Sequence, residues 1–191
     1  DIELGVPVSI NIDNGIAACA LAQIAGVDAD SIRRAMASFG GVDRRFDFKI
    51  KTDKCVFLSD YAHHPAEIRQ SILSLREVFD GRKITAIFQP HLYTRTRDLF
   101  EDFVRVLNTA DAVVLTDVYA AGEEPIVAAD SRALTRALRV AGKLEPIYCA
   151  DVADMPATLL NMLQDGDLLL NMGAGSINKV PQALRDLVAH G

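Results

Sequence analysis

From Phe46 onward, short runs of consecutive apolar and β-branched residues alternate with stretches in which apolar positions recur every three or four residues. The runs are FDFKIK (46–51), VFLSD (56–60), KITAIFQP (83–90), AVVLTDV (112–118), EPIYC (145–149) and DLLLNMG (167–173). Helical periodicity covers 65–79, 96–108, 131–141, 155–163 and 176–190. Alternation of this kind predicts an α/β fold, a Rossmann-like, mostly parallel sheet with helices on both faces. The near-continuous apolarity of the later runs places them centrally, while FDFKIK, turned by Thr52-Asp53-Lys54 into VFLSD, predicts a leading hairpin. Ahead of the sheet, NGIAACALAQIAG (14–26) reads as a buried helix with a glycine stop. Asp28 or Asp30 caps a second helix through Phe39, with Ile32, Met36 and Phe39 on one face. Gly40-Gly41 break that pattern, so the chain divides into a short helical piece of another domain (1–41) and the sheet domain (42–191).

Composition narrows the class. Half of the 191 residues are hydrophobic and about a quarter charged, with 12 Gly and 7 Pro, which excludes disorder and collagen-like repeats. Twenty Lys and Arg against 26 Asp and Glu leave a net charge of −6, and no basic run exceeds two residues. A nucleic-acid or anionic-membrane surface is therefore not expected. No apolar stretch approaches a membrane span and no basic n-region precedes an apolar one, which points to the cytoplasm. Cys19, Cys55 and Cys149 are far apart in apolar segments and read as reduced core thiols. The absence of an initiator Met suggests a piece of a longer protein.

Ligands of open α/β sheets bind beyond the carboxyl ends of the strands. The residues expected there are Tyr61-Ala62-His63-His64-Pro65, His91 through Arg97, Val118 through Glu123, and Gly173-Ala174-Gly175-Ser176. Three of the four histidines and two arginines thus gather on one predicted rim. An arginine fork and an imidazole facing the same space can hold a carboxylate or phosphate. His63 and His64, adjacent in an extended loop, point apart and have no third ligand at metal spacing, so no metal site is expected. His64 also reads simply as the residue before Pro65 at a helix start, His91 as a strand cap, and Arg95 and Arg97 as solvated first-turn residues. The GAGS turn offers N–H groups to an anion, and fits tight strand-to-helix packing equally. Neither GxxxxGK[ST] nor GxSxG occurs, and no cysteine has a base pattern beside it.

LSDYAHHPAEI, FQPHLYTRTRDLFEDF, DVYAAGEEPI and GDLLLNMGAGSI, in that order, make the chain resemble the C-terminal domain of the Mur ligase family over essentially its whole length. Residues 1–41 are similar to the end of that family's central ATP-binding domain, with VPVSINIDNGIAACALA where VPGxHNxxNALAA is usual, and GVDRRFDF is similar to the inter-domain linker. HHP is shared with the ligase that recycles murein tripeptide, whereas QPHxYTRTR points to the branch that adds L-alanine. The resemblance implies ATP-dependent amide formation in peptidoglycan precursor synthesis. The muramate carboxylate of UDP-N-acetylmuramate becomes an acyl phosphate, which the amine of L-alanine attacks. It further implies that Asn11 contacts adenine, Arg45 reaches ATP, and Asp60 meets the ribose hydroxyls. Tyr61, His91 and Arg95 would form the amino-acid pocket, with Arg95 on the alanine carboxylate. His63 lies in the same wall, and His63 or His91 takes the proton of the amine. Three positions depart from the family: Val8 for a glycine, Ile10 for a histidine, and Leu92 for an arginine that would have supplied a second cation. The P-loop and magnesium ligands are implied to lie N-terminal to Asp1, so the fragment alone is expected to be inactive. Two readings compete: a stand-alone Rossmann-like nucleotide-binding module using GAGS as its phosphate loop, and the murein tripeptide ligase.

Overall fold

Six strands form a single sheet in the order β1-β2-β6-β3-β4-β5. They are β1 (Asp47–Lys51), β2 (Cys55–Asp60), β3 (Ile84–Phe88), β4 (Ala112–Leu115), β5 (Ile147–Tyr148) and β6 (Asp167–Met172). The computed structural model describes residues 1–4, 9–52 and 54–190. Asp53 and Val8 lie outside the described residues. β1 pairs antiparallel with β2 as the leading hairpin, and every other pairing is parallel. The three most completely buried strands, β2, β6 and β3, lie side by side in the middle, where both faces need covering.

Alternation along the strands sorts side chains between two cores. Leu58, Ala86, Phe88, Leu115, Leu168 and Leu170 point to one face. There they pack on Ile68 and Ile72 of α3 (Pro65–Val78), Phe103 and Leu107 of α5 (Phe100–Leu107), and Leu134 and Leu138 of α6 (Ser131–Val140). Phe57, Ile87, Val114 and Leu169 point the other way, onto Met155 and Leu159 of α7 (Met155–Met162) and Val180 and Leu184 of α8 (Val180–His190). Each such fully buried Val, Leu, Ile, Phe or Met side chain contributes about 1.5–3 kcal/mol.

Caps place the helix starts. Asp28 accepts from Ser31 N at 2.9 Å ahead of α2 (Ala29–Ser38), and Asp130 from Ala133 N at 2.7 Å ahead of α6. His64 opens α3 with Pro65 at its first position and Glu67 completing a capping box.

Three expectations need correction. The helix expected over 96–108 is two helices, α4 (Tyr93–Asp98) and α5, broken at Leu99 (φ −116°, ψ 22°). Thr94 is tied to Glu123 on the rim, while Phe103, Val106 and Leu107 enter the core, and one straight axis does not serve both. The stretch 176–190 starts as a 3-10 turn (Ser176–Lys179) before α8. The first helix, α1 (Ser9–Ile24), starts earlier than expected and is not buried. Ile16, Leu21 and Ile24 are 64, 68 and 83% exposed. α1 meets α2 around the buried Gly15, where an added Cβ would lie 3.0 Å from Met36 and from Leu4. Its outer face has no cover among the described residues.

Candidate active site

The carboxyl ends of β2, β3 and β4 deliver a continuous chain of rings. Tyr61 and His63 follow β2, with centroids 5.2 Å apart, edge to face. His63 lies 5.6 Å from His91, which follows β3. His91 stacks on Tyr119, which follows β4, at 5.8 Å and 14° between planes. The backbone holds that stack through Leu92 N to Tyr119 O (3.0 Å) and Tyr119 N to Pro90 O (2.8 Å). Leu92 takes φ +70°, a conformation costly for a branched side chain, and the chain then turns directly into α4. One helical turn after His91, Arg95 brings Nη1 to 3.2 Å from His91 Nδ1. His91 and Arg95 therefore share one space.

Burial lowers the His91 pKa, and the neighbouring Arg95 and His63 lower it further, against a smaller opposing pull from Glu123. Glu123 is itself held as a carboxylate by the Thr94 hydroxyl and backbone N–H. His63 Nδ1 contacts the Tyr61 carbonyl at 2.9 Å and lies 3.8 Å from Glu67. Burial works to raise the Glu67 pKa, yet the N–H groups of His63 and His64 and the nearby His63 and Arg45 hold it low.

Arg44 and Arg45 reach this rim over the Tyr61 ring. Arg44 sits over the Tyr61 ring at 4.6 Å and donates from Nη2 to Gly173 O at 2.6 Å. Arg45, exposed, lies 5.6 Å from the same ring, beside a cleft of about 370 Å³ along residues 40–49. Asp60 faces inward: it accepts from Phe46 N, Ala62 N and the Ser71 hydroxyl. Burial raises its pKa despite those donors. Of its four or so lone-pair sites, about one remains for an incoming hydroxyl. Asn11 stands in the early turns of α1, outside the ring chain.

His64 is an exposed helix cap and Arg97 pairs with Asp98 in solvent, so neither joins the site. The GAGS turn is not an open phosphate loop. Gln89 Oε1 accepts from Ile177 N at 3.0 Å, and a Cβ on Gly175 would fall 2.5 Å from Tyr119. Close packing explains these glycines, and it removes the basis for the stand-alone nucleotide module. Among the described residues no group of three or more His, Cys, Asp or Glu side chains is placed to hold a metal ion. Sequence reading gave no role to Arg44, Tyr119 or Gln89. Only the position of Tyr119 just beyond β4 hinted at one, and the side-chain bonds of Arg44 and Gln89 span 129 and 88 residues.

Fold and rim together define an α/β domain with a cationic and aromatic cluster at the carboxyl ends of its strands. Residues 44–175 match the Mur ligase, glutamate ligase domain, and the chain belongs to the Mur ligase family. It is 54% identical over 192 residues to UDP-N-acetylmuramate–L-alanine ligase of Neisseria meningitidis serogroup C, a match covering 98% of this chain and 41% of that protein. The chain thus spans about two-fifths of the curated relatives it matches. The crystal structure of a UDP-N-acetylmuramate–alanine ligase from Thermotoga maritima superposes with TM-score 0.82 at 27% identity, over 99% of this chain and 40% of that one. A murein peptide ligase from Psychrobacter arcticus shares the fold, with TM-score 0.65 at 18% identity over 100% of this chain and 39% of that one.

Proposed function

We propose that this chain is the amino-acid-binding portion of a cytoplasmic ligase that uses ATP to join L-alanine to UDP-N-acetylmuramate, with residues 1–41 contributed by its central domain and residues 42–191 forming its last domain. The observation that carries this reading is the convergence of Tyr61, His63, His91 and Arg95 on one rim, with Arg45 alongside. Arg95 offers a planar fork to the carboxylate of the amino acid. Leu92 stands where a second cation is usual, so the seat depends on that single fork and on His91. Arg45 reaches toward the polyphosphate when the domain closes, Asn11 serves adenine, and Asp60 offers its remaining lone pair to the ribose. Magnesium supplies charge neutralisation on the polyphosphate when bound. Its ligands belong to segments outside these residues, and the roles of this chain's side chains do not depend on them. Closure over the acyl phosphate keeps out water that would hydrolyse it and brings the amine near the line of attack.

The test is to join the chain to the N-terminal segment of a relative and measure ADP release with UDP-N-acetylmuramate and L-alanine, glycine, L-serine or murein tripeptide. Release that depends on L-alanine is the expected result, and the isolated chain gives none. Preference for the tripeptide would instead identify the recycling ligase. In the joined enzyme Arg95→Ala raises the KM for L-alanine by about one to two orders of magnitude, the loss of a hydrogen-bonded charge partner.

A further inference from the structure

The two imidazoles of the rim meet neighbours of opposite chemistry, and that fixes where their protons sit. Arginine has five N–H donors and no acceptor, so the His91 Nδ1 that faces Arg95 Nη1 at 3.2 Å carries the lone pair. Neutral His91 therefore bears its proton on Nε2. A carbonyl oxygen only accepts, so the His63 Nδ1 at 2.9 Å from Tyr61 O carries the proton, and neutral His63 bears its lone pair on Nε2. Protonating His91 sets a new N–H against the Arg95 donor and breaks that contact. Protonating His63 breaks no bond at Nδ1.

The charged groups around the pair act in the same sense. From α3, Glu67 lies 3.8 Å from His63 Nδ1. From the segment before β1, Arg44 and Arg45 lie over the Tyr61 ring, and Arg45 also acts on Glu67. From α4, Arg95 is in contact with His91, and from the loop after β4 come the Tyr119 ring and the more distant Glu123. The carboxylate is on the His63 side and the guanidinium on the His91 side.

Resting on the ligase reading above, we infer that His63 Nε2 is the base that takes a proton from the amino-acid ammonium, while His91 stays neutral and donates from Nε2 to hold the substrate. An ammonium N–H bond breaks and its proton passes to His63 Nε2. The freed nitrogen pair forms the bond to the acyl-phosphate carbon. The C–O bond to phosphate then breaks, its electron pair leaves on phosphate, and the departing phosphate takes the second amine proton.

Long-range ¹H–¹⁵N spectra of the imidazoles of the 191-residue chain read the tautomers without any activity. Expected are a protonated Nδ1 on His63 and a protonated Nε2 on His91. The reverse assignment for either ring overturns the inference. In the joined full-length enzyme, His63→Asn keeps a donor near the Tyr61 carbonyl and has no nitrogen where Nε2 lay. Its kcat falls by about 10²-fold or more with a small change in the KM for L-alanine. His91→Gln acts mainly on that KM. Retention of the His91 Nε2–H tautomer in His63→Asn separates lost chemistry from lost folding. A His63→Asn enzyme that keeps its kcat overturns the base role. If the unmutated joined enzyme shows no amino-acid-dependent ADP release, the ligase reading fails and the base role with it, whereas the tautomers stand on their own spectra.

Discussion

Gly175 shows how tightly the rim is built around its aromatic rings. A Cβ there would sit 2.5 Å from Tyr119 Cγ and 2.6 Å from Gln89 Oε1, and both neighbours are pinned by bonds of their own. Gly175→Ala is therefore expected to destabilise the chain by about 1–3 kcal/mol, read as a lower denaturation midpoint. It should also push Tyr119 off His91. His91 gives a second expectation, in pH. Its pKa lies below the ordinary value of 6.5, first because of burial and then because of Arg95 and His63. Between those two values the unfolded chain binds more proton than the folded one, so stability is fully present above about pH 6.5 and falls as the pH drops toward the folded-state value. Urea titrations at stepped pH in this window should show a shallower loss for His91→Gln than for the unmutated chain. The residue types of the rim were readable along the chain, because the positions just past apolar strands of an open α/β sheet are the ones that share a rim. Their partners were not, because Tyr119 looks like any surface aromatic until the sheet brings β3 and β4 side by side.

At the scale of elements, residues 44–47 behave as part of the sheet. Arg44 and Phe46 adopt φ of +59° and +50°, each costly for a side chain with a Cβ, and both are held by bonds on several sides. Arg44 N donates to Asp47 Oδ2, its carbonyl accepts from Tyr61 N at 2.6 Å, and its guanidinium reaches Gly173 O. Phe46 is 3% exposed, its ring packs edge-on to Phe48, and its N–H donates to Asp60. Residues 44–47 therefore move with β2 and β6, and backbone freedom ahead of them falls to Gly40 and Gly41. A Cβ on Gly40 meets nothing within 4 Å, and Gly41 has φ +96°. Asp60→Asn tests this clamp. Removing a buried charge helps the fold, but an amide puts its own donor against a backbone N–H or the Ser71 hydroxyl, and the loss of acceptors outweighs the gain. A net loss of about 1–2 kcal/mol is expected. Amide exchange at 44–47 should rise while that of β6 stays protected. The strands and the glycine break were legible because periodicity and Gly-Gly are local signals. The positive φ values were not, since Arg and Phe ordinarily avoid that region and only long-range bonds keep them there.

At the scale of the molecule, the sheet order sets what faces what. Because β6 returns between β2 and β3, the GAGS turn arrives at the centre of the rim, and Gln89 ties it to the strand end that carries His91. Both apolar faces of the sheet are closed by helices, whereas α1 presents Ile16, Leu21 and Ile24 to solvent. An alanine-rich helix with apolar residues all round is the pattern of a buried element, which is why the sequence predicted burial. That burial needs a surface other than the ones the described residues provide. The proposed central domain would be that surface, and the two situations differ measurably. In the isolated chain, Leu21→Glu and Ile24→Glu replace exposed side chains, so the denaturation midpoint should move by no more than about 0.5 kcal/mol in stability. In the joined full-length ligase the same pair would bury two carboxylates against apolar neighbours. The expected result there is loss of several kcal/mol, or failure to accumulate as folded protein. Equal tolerance in both settings would mean that α1 remains a solvent-facing helix in the longer protein and that its apolar face has no partner there.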